Sequence, residues 1–229
     1  MLKQEELSFL GDSLPFWGRI TEEQRQLLKE SATSRIYRAG ESLHNGSADC
    51  IGFLLVKSGQ VRVYIVSESG KEITLYRLFE RDVCMFSASC MMKNINFDVH
   101  VQAEKESCVI LIPTPVYDRL NKTSLPVSDY TNQLMSSRFS DVMWVMEQVL
   151  FMSFDRRLAH FLIEQSVIDA SERLEITHET IAKHMGTARE VVTRMLKYFQ
   201  SEGIVSLFRG GISIVDRTKL ERLAMSERQ

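Results

Sequence analysis

The sequence predicts an α+β protein: an antiparallel β barrel or jelly roll in the N-terminal half, one long helix, and a C-terminal helix-turn-helix followed by a β-hairpin. Three observations carry this. From Arg35 to Ile112, short apolar alternations are broken by turn residues. From about Val127 to Met152 a helical pattern runs without a break. From Thr177 to Val215, two short helical patterns flank a glycine and lead into two apolar runs separated by a glycine pair. The corresponding domains are 1–126, 127–153 and 154–229.

Residues 1–31 read as helical. Thr21-Glu-Glu-Gln24 is a capping box, in which Thr and Gln side chains satisfy each other's backbone N–H, and Leu27 and Leu28 follow as the apolar side. Ser13-Leu-Pro-Phe-Trp17 reads as a turn. The strand candidates are Ile51–Val56, Gln60–Val66, Glu72–Tyr76, Val99–Ala103 and Val109–Ile112, punctuated by Gly40, Gly46, Gly59 and Gly70. Thr114-Pro115 opens a short helix, with proline at the position where its missing N–H costs nothing.

On the long helix, Met135, Arg138, Val142, Val145, Val149 and Met152 recur three and four residues apart, a heptad seam interrupted by Arg138. A stripe of this kind can pair two helices or pack one helix on its own domain.

In the C-terminal part, Thr177 can cap a first helix whose apolar side is Ile181, Ala182 and Met185. Gly186 ends it, since glycine enters the left-handed region cheaply. Thr187 with Glu190 reads as a second capping box, and Val191, Val192, Met195, Leu196 and Phe199 form the buried side of the next helix. Arg189, Glu190, Thr193, Arg194 and Lys197 lie away from that side. Arginine pairs bidentately with guanine and glutamate accepts from the cytosine amino group, so such a helix can read G·C-containing DNA in the major groove. An ordinary helical hairpin with a solvated charged face uses the same spacing.

The tract Thr187-Ala-Arg-Glu-Val-Val-Thr-Arg194, within Thr177–Val205, resembles the recognition region of the Crp/Fnr family of bacterial transcription regulators. The resemblance implies a winged helix, with Ile204–Leu207 and Ile212–Val215 as the wing strands. It places Thr177, His178, Thr187, Arg189, Glu190, Thr193, Arg194 and Lys197 at double-stranded DNA, with the arginines and Glu190 reading bases. Arg38–Leu43 and Val56–Val63 resemble the family's cyclic-nucleotide-binding-like β-roll, a jelly-roll-like sensor. The long helix would then be the dimerisation helix, using Met135, Val142, Val145, Val149 and Met152, and the homodimer would bind a palindromic operator and meet RNA polymerase.

Nucleotide-binding members hold the ribose with a glutamate and the cyclic phosphate with an arginine. Here Phe86 stands where that glutamate is expected, Phe97 and Asp98 where the arginine and hydroxyl are expected, and no arginine occurs between Arg81 and Arg119. Val142 and Met143 replace the hydroxyl residues that meet adenine. A buried phosphodiester would lack its counter-charge, so the sequence argues against cyclic AMP. Cys84, Met85, Phe86, Cys90, Phe97, Val142 and Met143 are the expected lining of an effector pocket for an unknown small-molecule or redox signal. Cys84 and Cys90 could be sensing thiols or small core residues.

The resemblance implies a closely spaced N-terminal cysteine cluster in iron–sulfur members of the family; here the first cysteine is Cys50, so an iron–sulfur cluster is not expected. Haem would have only His44 or His100 as conceivable axial ligands, and gains little support. No nucleophile–base pair or metal constellation points to an enzyme. An alternative is a cyclic-nucleotide-domain-like regulator that acts on a protein partner instead of DNA.

The 229 residues are 44% hydrophobic and 25% charged, with a net charge of −2. That argues against a chain basic throughout but allows a local DNA-binding face. A charged start, no long apolar run and four irregularly spaced cysteines lead us to expect a reducing cytoplasm and no membrane span.

Overall fold

The computed structural model describes residues 2–46, 51–85 and 98–225. Contacts divide the chain into two compact units. One comprises Met1–Val66 and Leu75–Val142, the other Ser67–Thr74 and Met143–Gln229.

The first unit opens with α1 (Gln4–Ser13) and α2 (Glu22–Ser31). The predicted capping box forms: the Gln24 amide donates to Thr21 Oγ1 at 3.2 Å, and the Thr21 amide donates to Gln24 Oε1 at 3.1 Å. The strands are β1 (Thr33–Tyr37), β2 (Ser42–Asn45), β3 (Phe53–Ser58), β4 (Val61–Val66), β5 (Glu72–Leu78), β6 (Val83–Cys84), β7 (Val99–Ala103) and β8 (Ser107–Ile112). They make two four-stranded sheets, ordered β1-β8-β3-β6 and β2-β7-β4-β5. The pairs β1·β8, β3·β8, β3·β6, β2·β7 and β4·β7 are all antiparallel.

Burial explains why these strands read differently in sequence. In β7, Val99, Val101 and Ala103 are buried while His100 and Gln102 are only partly so, the period-2 signature of a sheet covered on one face. The first four residues of β3 are all apolar because both its faces are covered. Leu54 and Val56 join the core shared with Val61, Val63 and Val101, whereas Phe53 and Leu55 join Leu10, Phe16, Leu28 and Tyr117 on the helical side. There Phe53 stacks on Tyr117 with ring centroids 4.1 Å apart, an arrangement that adds about 0.5–1.5 kcal/mol to the area buried.

α3 (Thr114–Thr123) starts with proline in its first turn, as expected. α4 (Leu125–Phe151) is a single helix of 27 residues, about 40 Å long at 1.5 Å per residue. Its early turns are held to the first unit. Val127 and Thr131 are buried, and Thr131 bonds to the Tyr117 hydroxyl at 2.8 Å. Met135 packs on the helical core and Val142 on the core between the sheets. Arg138 also turns inward, donating to the Val83 carbonyl at 3.3 Å and pairing with Asp141 at 2.9 Å, its guanidinium 4.6 Å above the Tyr76 ring. Met135, Arg138 and Val142 therefore serve their own unit, although linear spacing puts them on a seam. The apolar residues left exposed on α4 include Phe139, Met143, Met146 and Leu150, again four, three and four residues apart.

The second unit contains α5 (Phe154–Ile168), β9 (Arg173–Leu174), α6 (His178–Met185), α7 (Arg189–Ser201), β10 (Val205–Phe208), β11 (Gly211–Ile214) and α8 (Arg217–Met225). A three-stranded sheet ordered β10-β11-β9 backs the helices. Leu158, Leu162, Leu174, Ile181, Val192, Leu196, Phe199, Ile212 and Leu220 are its buried centre. The expected hairpin is present, and β9 is an additional strand.

Candidate nucleic-acid interface

Two backbone devices set the angle of α6 against α7. Thr177 caps α6, its Oγ1 accepting from the Thr180 amide at 3.1 Å. Gly186 ends α6 at φ +66°, in the left-handed region as the sequence indicated. Arg157 of α5 donates to the freed Met185 carbonyl at 2.9 Å, satisfying one of the last acceptors of α6. The expected Thr187 cap does not form. The N-cap of α7 is Ala188, without a side-chain hydrogen bond, and the Thr187 amide instead belongs to the close of α6, donating to Ala182 O at 3.1 Å.

α7 buries Val192, Leu196 and Phe199 and leaves Arg189, Glu190, Arg194 and Lys197 exposed, with Thr193 half-buried beside them. Among the described residues, none of those four charged side chains takes part in an ion pair or hydrogen bond. Three cations and one anion thus project from one helix face without internal compensation. Thr177 is exposed next to them. His178 bridges the two helices, its Nδ1 lying 2.9 Å from Thr193 Oγ1. Burial, and then the Arg189 charge, hold the His178 pKa below the ordinary histidine value.

Two further exposed arginines lie on the wing sheet. Arg209 is exposed at the hairpin tip. Arg173 of β9 lies over the Phe208 ring at 3.7 Å, and a Cβ on Gly211 would sit 2.2 Å from that ring, so glycine is needed there. The signal for Arg209 was its place in the Phe-Arg-Gly-Gly turn. Nothing local marked Arg173, which is brought in by pairing of β9 with β11.

The expected effector-pocket residues separate. Cys84 is fully buried and shares the inter-sheet core with Val142, Met85 is buried against the helical core, and Met143 is exposed. Tyr76, in the same core as Cys84, has its phenol pKa pushed well up, first by burial and then by Cys84. Phe86, Cys90 and Phe97 lie outside the described residues. Of the histidines considered as haem ligands, His44 is buried and His100 stacks on Tyr64 at 5.2 Å. Among the described residues no helix is long and apolar enough to cross a membrane.

Comparison with known proteins agrees with this layout. A cyclic nucleotide-binding domain model matches residues 34–124 and a Crp-like helix-turn-helix model matches residues 156–223. The Anaerobic regulatory protein of Haemophilus influenzae is 29% identical over 196 residues, covering 82% of this chain and 72% of its own. Regulatory protein HlyX of Actinobacillus pleuropneumoniae is 28% identical over 180 residues, 75% of this chain and 70% of its own. The crystal structure of a transcriptional regulator assigned to the Crp/Fnr family, from Eubacterium rectale, superposes with TM-score 0.92 at 49% identity over 94% of this chain and 100% of that one.

Proposed function

The chain belongs to the Crp/Fnr family of transcription regulators with a helix-turn-helix DNA-binding domain, and we propose that it acts as a homodimer on an inverted-repeat operator. The observation that carries this is the uncompensated face of α7. Arg189, Glu190 and Arg194 read the bases of a half-site similar to TGTGA, and Lys197 meets phosphate. Thr177, His178 and Thr187 sit at the same groove edge. A two-fold dimer sets its recognition helices about 34 Å apart, one helical turn of DNA.

The dimer contact is formed by Phe139, Met143, Met146 and Leu150, with Val149 on its flank. Their exposure at heptad spacing supports a two-stranded seam with a second copy of the same helix. Met135 and Val142, also expected at the seam, are partly buried against the first unit's cores and so lie on the inner side of this stripe. Val145 and Met152 are half-buried and lie at the margin.

The signal acts at the β-roll and alters operator affinity by shifting a two-state population. It is not cyclic AMP. The matched tract lacks the phosphate-binding arginine, and Arg138, which does enter the first unit's interior, is already paired with Asp141. Cys84 has no exposed surface, which favours a packing role over thiol sensing. The family implies RNA polymerase as a protein partner.

The test uses a duplex with two inverted half-sites, one with a single half-site, and the Met146→Glu variant. A charge placed in a desolvated seam is strongly unfavourable. Sedimentation should show dimers for the wild type and monomers for the variant, and preference for the two-site duplex should vanish with the dimer. A dimeric variant that keeps its preference would move the interface elsewhere.

A further inference from the structure

His178 is the first residue of α6, and its ring spans the junction with α7 through the 2.9 Å contact between Nδ1 and Thr193 Oγ1. The ring is half-buried, and among the described residues Nε2 has no hydrogen-bond partner. A threonine hydroxyl both donates and accepts. It can donate to Nδ1 of a neutral ring whose proton is on Nε2, or accept from Nδ1–H of a charged one. The bond between the helices therefore survives protonation, and the two states of the ring differ in charge at Nε2, beside the face that carries Arg189 and Arg194.

We infer that His178 contacts an operator phosphate through Nε2 and takes up a proton when DNA binds, so that operator affinity rises as pH falls. This rests on the DNA-binding reading of the α7 face. The charged groups at the junction are Glu175 on the approach to α6, Glu179 and Lys183 on α6, and Arg189, Glu190 and Arg194 on α7. Among them Arg189 weighs on the ring, and with burial it favours the neutral form in the free protein. A phosphate within about 4–6 Å reverses that balance, because an opposite charge favours the protonated ring. The proton comes from solvent and no bond other than N–H is made. The sign follows. The bound state has the higher pKa, so the added affinity is complete at low pH and is lost as pH rises through the bound value. Each unit by which binding raises the pKa gives up to about tenfold in affinity per protomer.

Fluorescence anisotropy with the two-half-site duplex, at fixed ionic strength from about pH 8 to about pH 5.5, spans the ordinary histidine range. Wild type should bind several-fold tighter at the acid end. His178→Gln, which keeps a neutral donor near Nε2, should bind with a much flatter profile. His178→Asn, which keeps a partner for Thr193 but cannot reach the phosphate, should bind more weakly at every pH and be equally flat. Matching thermal melts exclude misfolding. The same slope in wild type and His178→Gln would overturn the proton linkage alone. A wild type that binds the duplex at no pH would overturn the underlying DNA-binding reading.

Discussion

Two helices of the second unit begin with an arginine, and the fold treats the two in opposite ways. A cation in the first turn of a helix faces the positive end of the dipole. Arg217, which opens α8, is compensated: it donates to Glu172 at 2.6 Å, to Glu221 at 2.8 Å and to Ser166 at 3.1 Å, and those carboxylates push its pKa up. Arg189, which opens α7, has no such partner among the described residues, and neither have Arg194 and Lys197. One arginine is spent on the fold and the other is left exposed with its donors free. Among the described residues no carboxylate answers the α7 cations, and this is the observation on which the DNA-contact proposal for that face rests.

The largest effect should come from the buried side of α7, where residues belong wholly to the fold. Leu196→Ala removes a fully buried side chain and should cost about 2–5 kcal/mol of stability, measured by denaturant unfolding. On the exposed side of the same helix, Arg194→Ala should leave the unfolding midpoint in place and cost about 1–3 kcal/mol of operator affinity. Thr177→Ala sharpens the comparison, because this residue both caps α6 and borders the DNA face. Losing the cap should cost about 1 kcal/mol of stability, and losing the hydroxyl at the groove edge should weaken operator binding beyond what any loss of folded protein explains. Arg217→Ala should have the smallest effect, a slight drop in melting temperature with operator affinity unchanged. A substantial affinity loss there would erase the distinction between the two arginines.

Much of this was legible because it is local. Thr177 and Gly186 mark the ends of α6 by side-chain oxygen and by φ, and both do so as the sequence indicated. The alternation of β7 and the continuous apolar runs of β3 and β8 likewise report how many faces are covered. What was missed depends on partners distant in sequence or on competing bonds. β9 has two residues and exists through its pairing with β11. Thr187 had the spacing of a cap, but α7 begins one residue later, with Ala188 as N-cap, while the Thr187 amide closes α6. On α4 both the inward and the outward faces are apolar, so spacing alone did not show that Met135 and Val142 also pack on the first unit while Phe139 and Met146 are exposed. For the effector, the sequence proposed a lining and argued what it does not bind, and two of the expected lining residues, Met85 on the β-roll and Val142 on α4, face different cores.

The central claim is that the uncompensated face of α7 reads base sequence. It is tested most directly by competing the inverted TGTGA duplex against a scrambled duplex of equal length and charge, at one salt concentration, for wild type and Arg194→Ala. The account predicts that wild type prefers the inverted repeat, and that Arg194→Ala loses affinity for it by about tenfold or more while binding the scrambled duplex almost as before. Equal losses on both duplexes would show that Arg194 contributes charge alone, and would contradict base reading by this face.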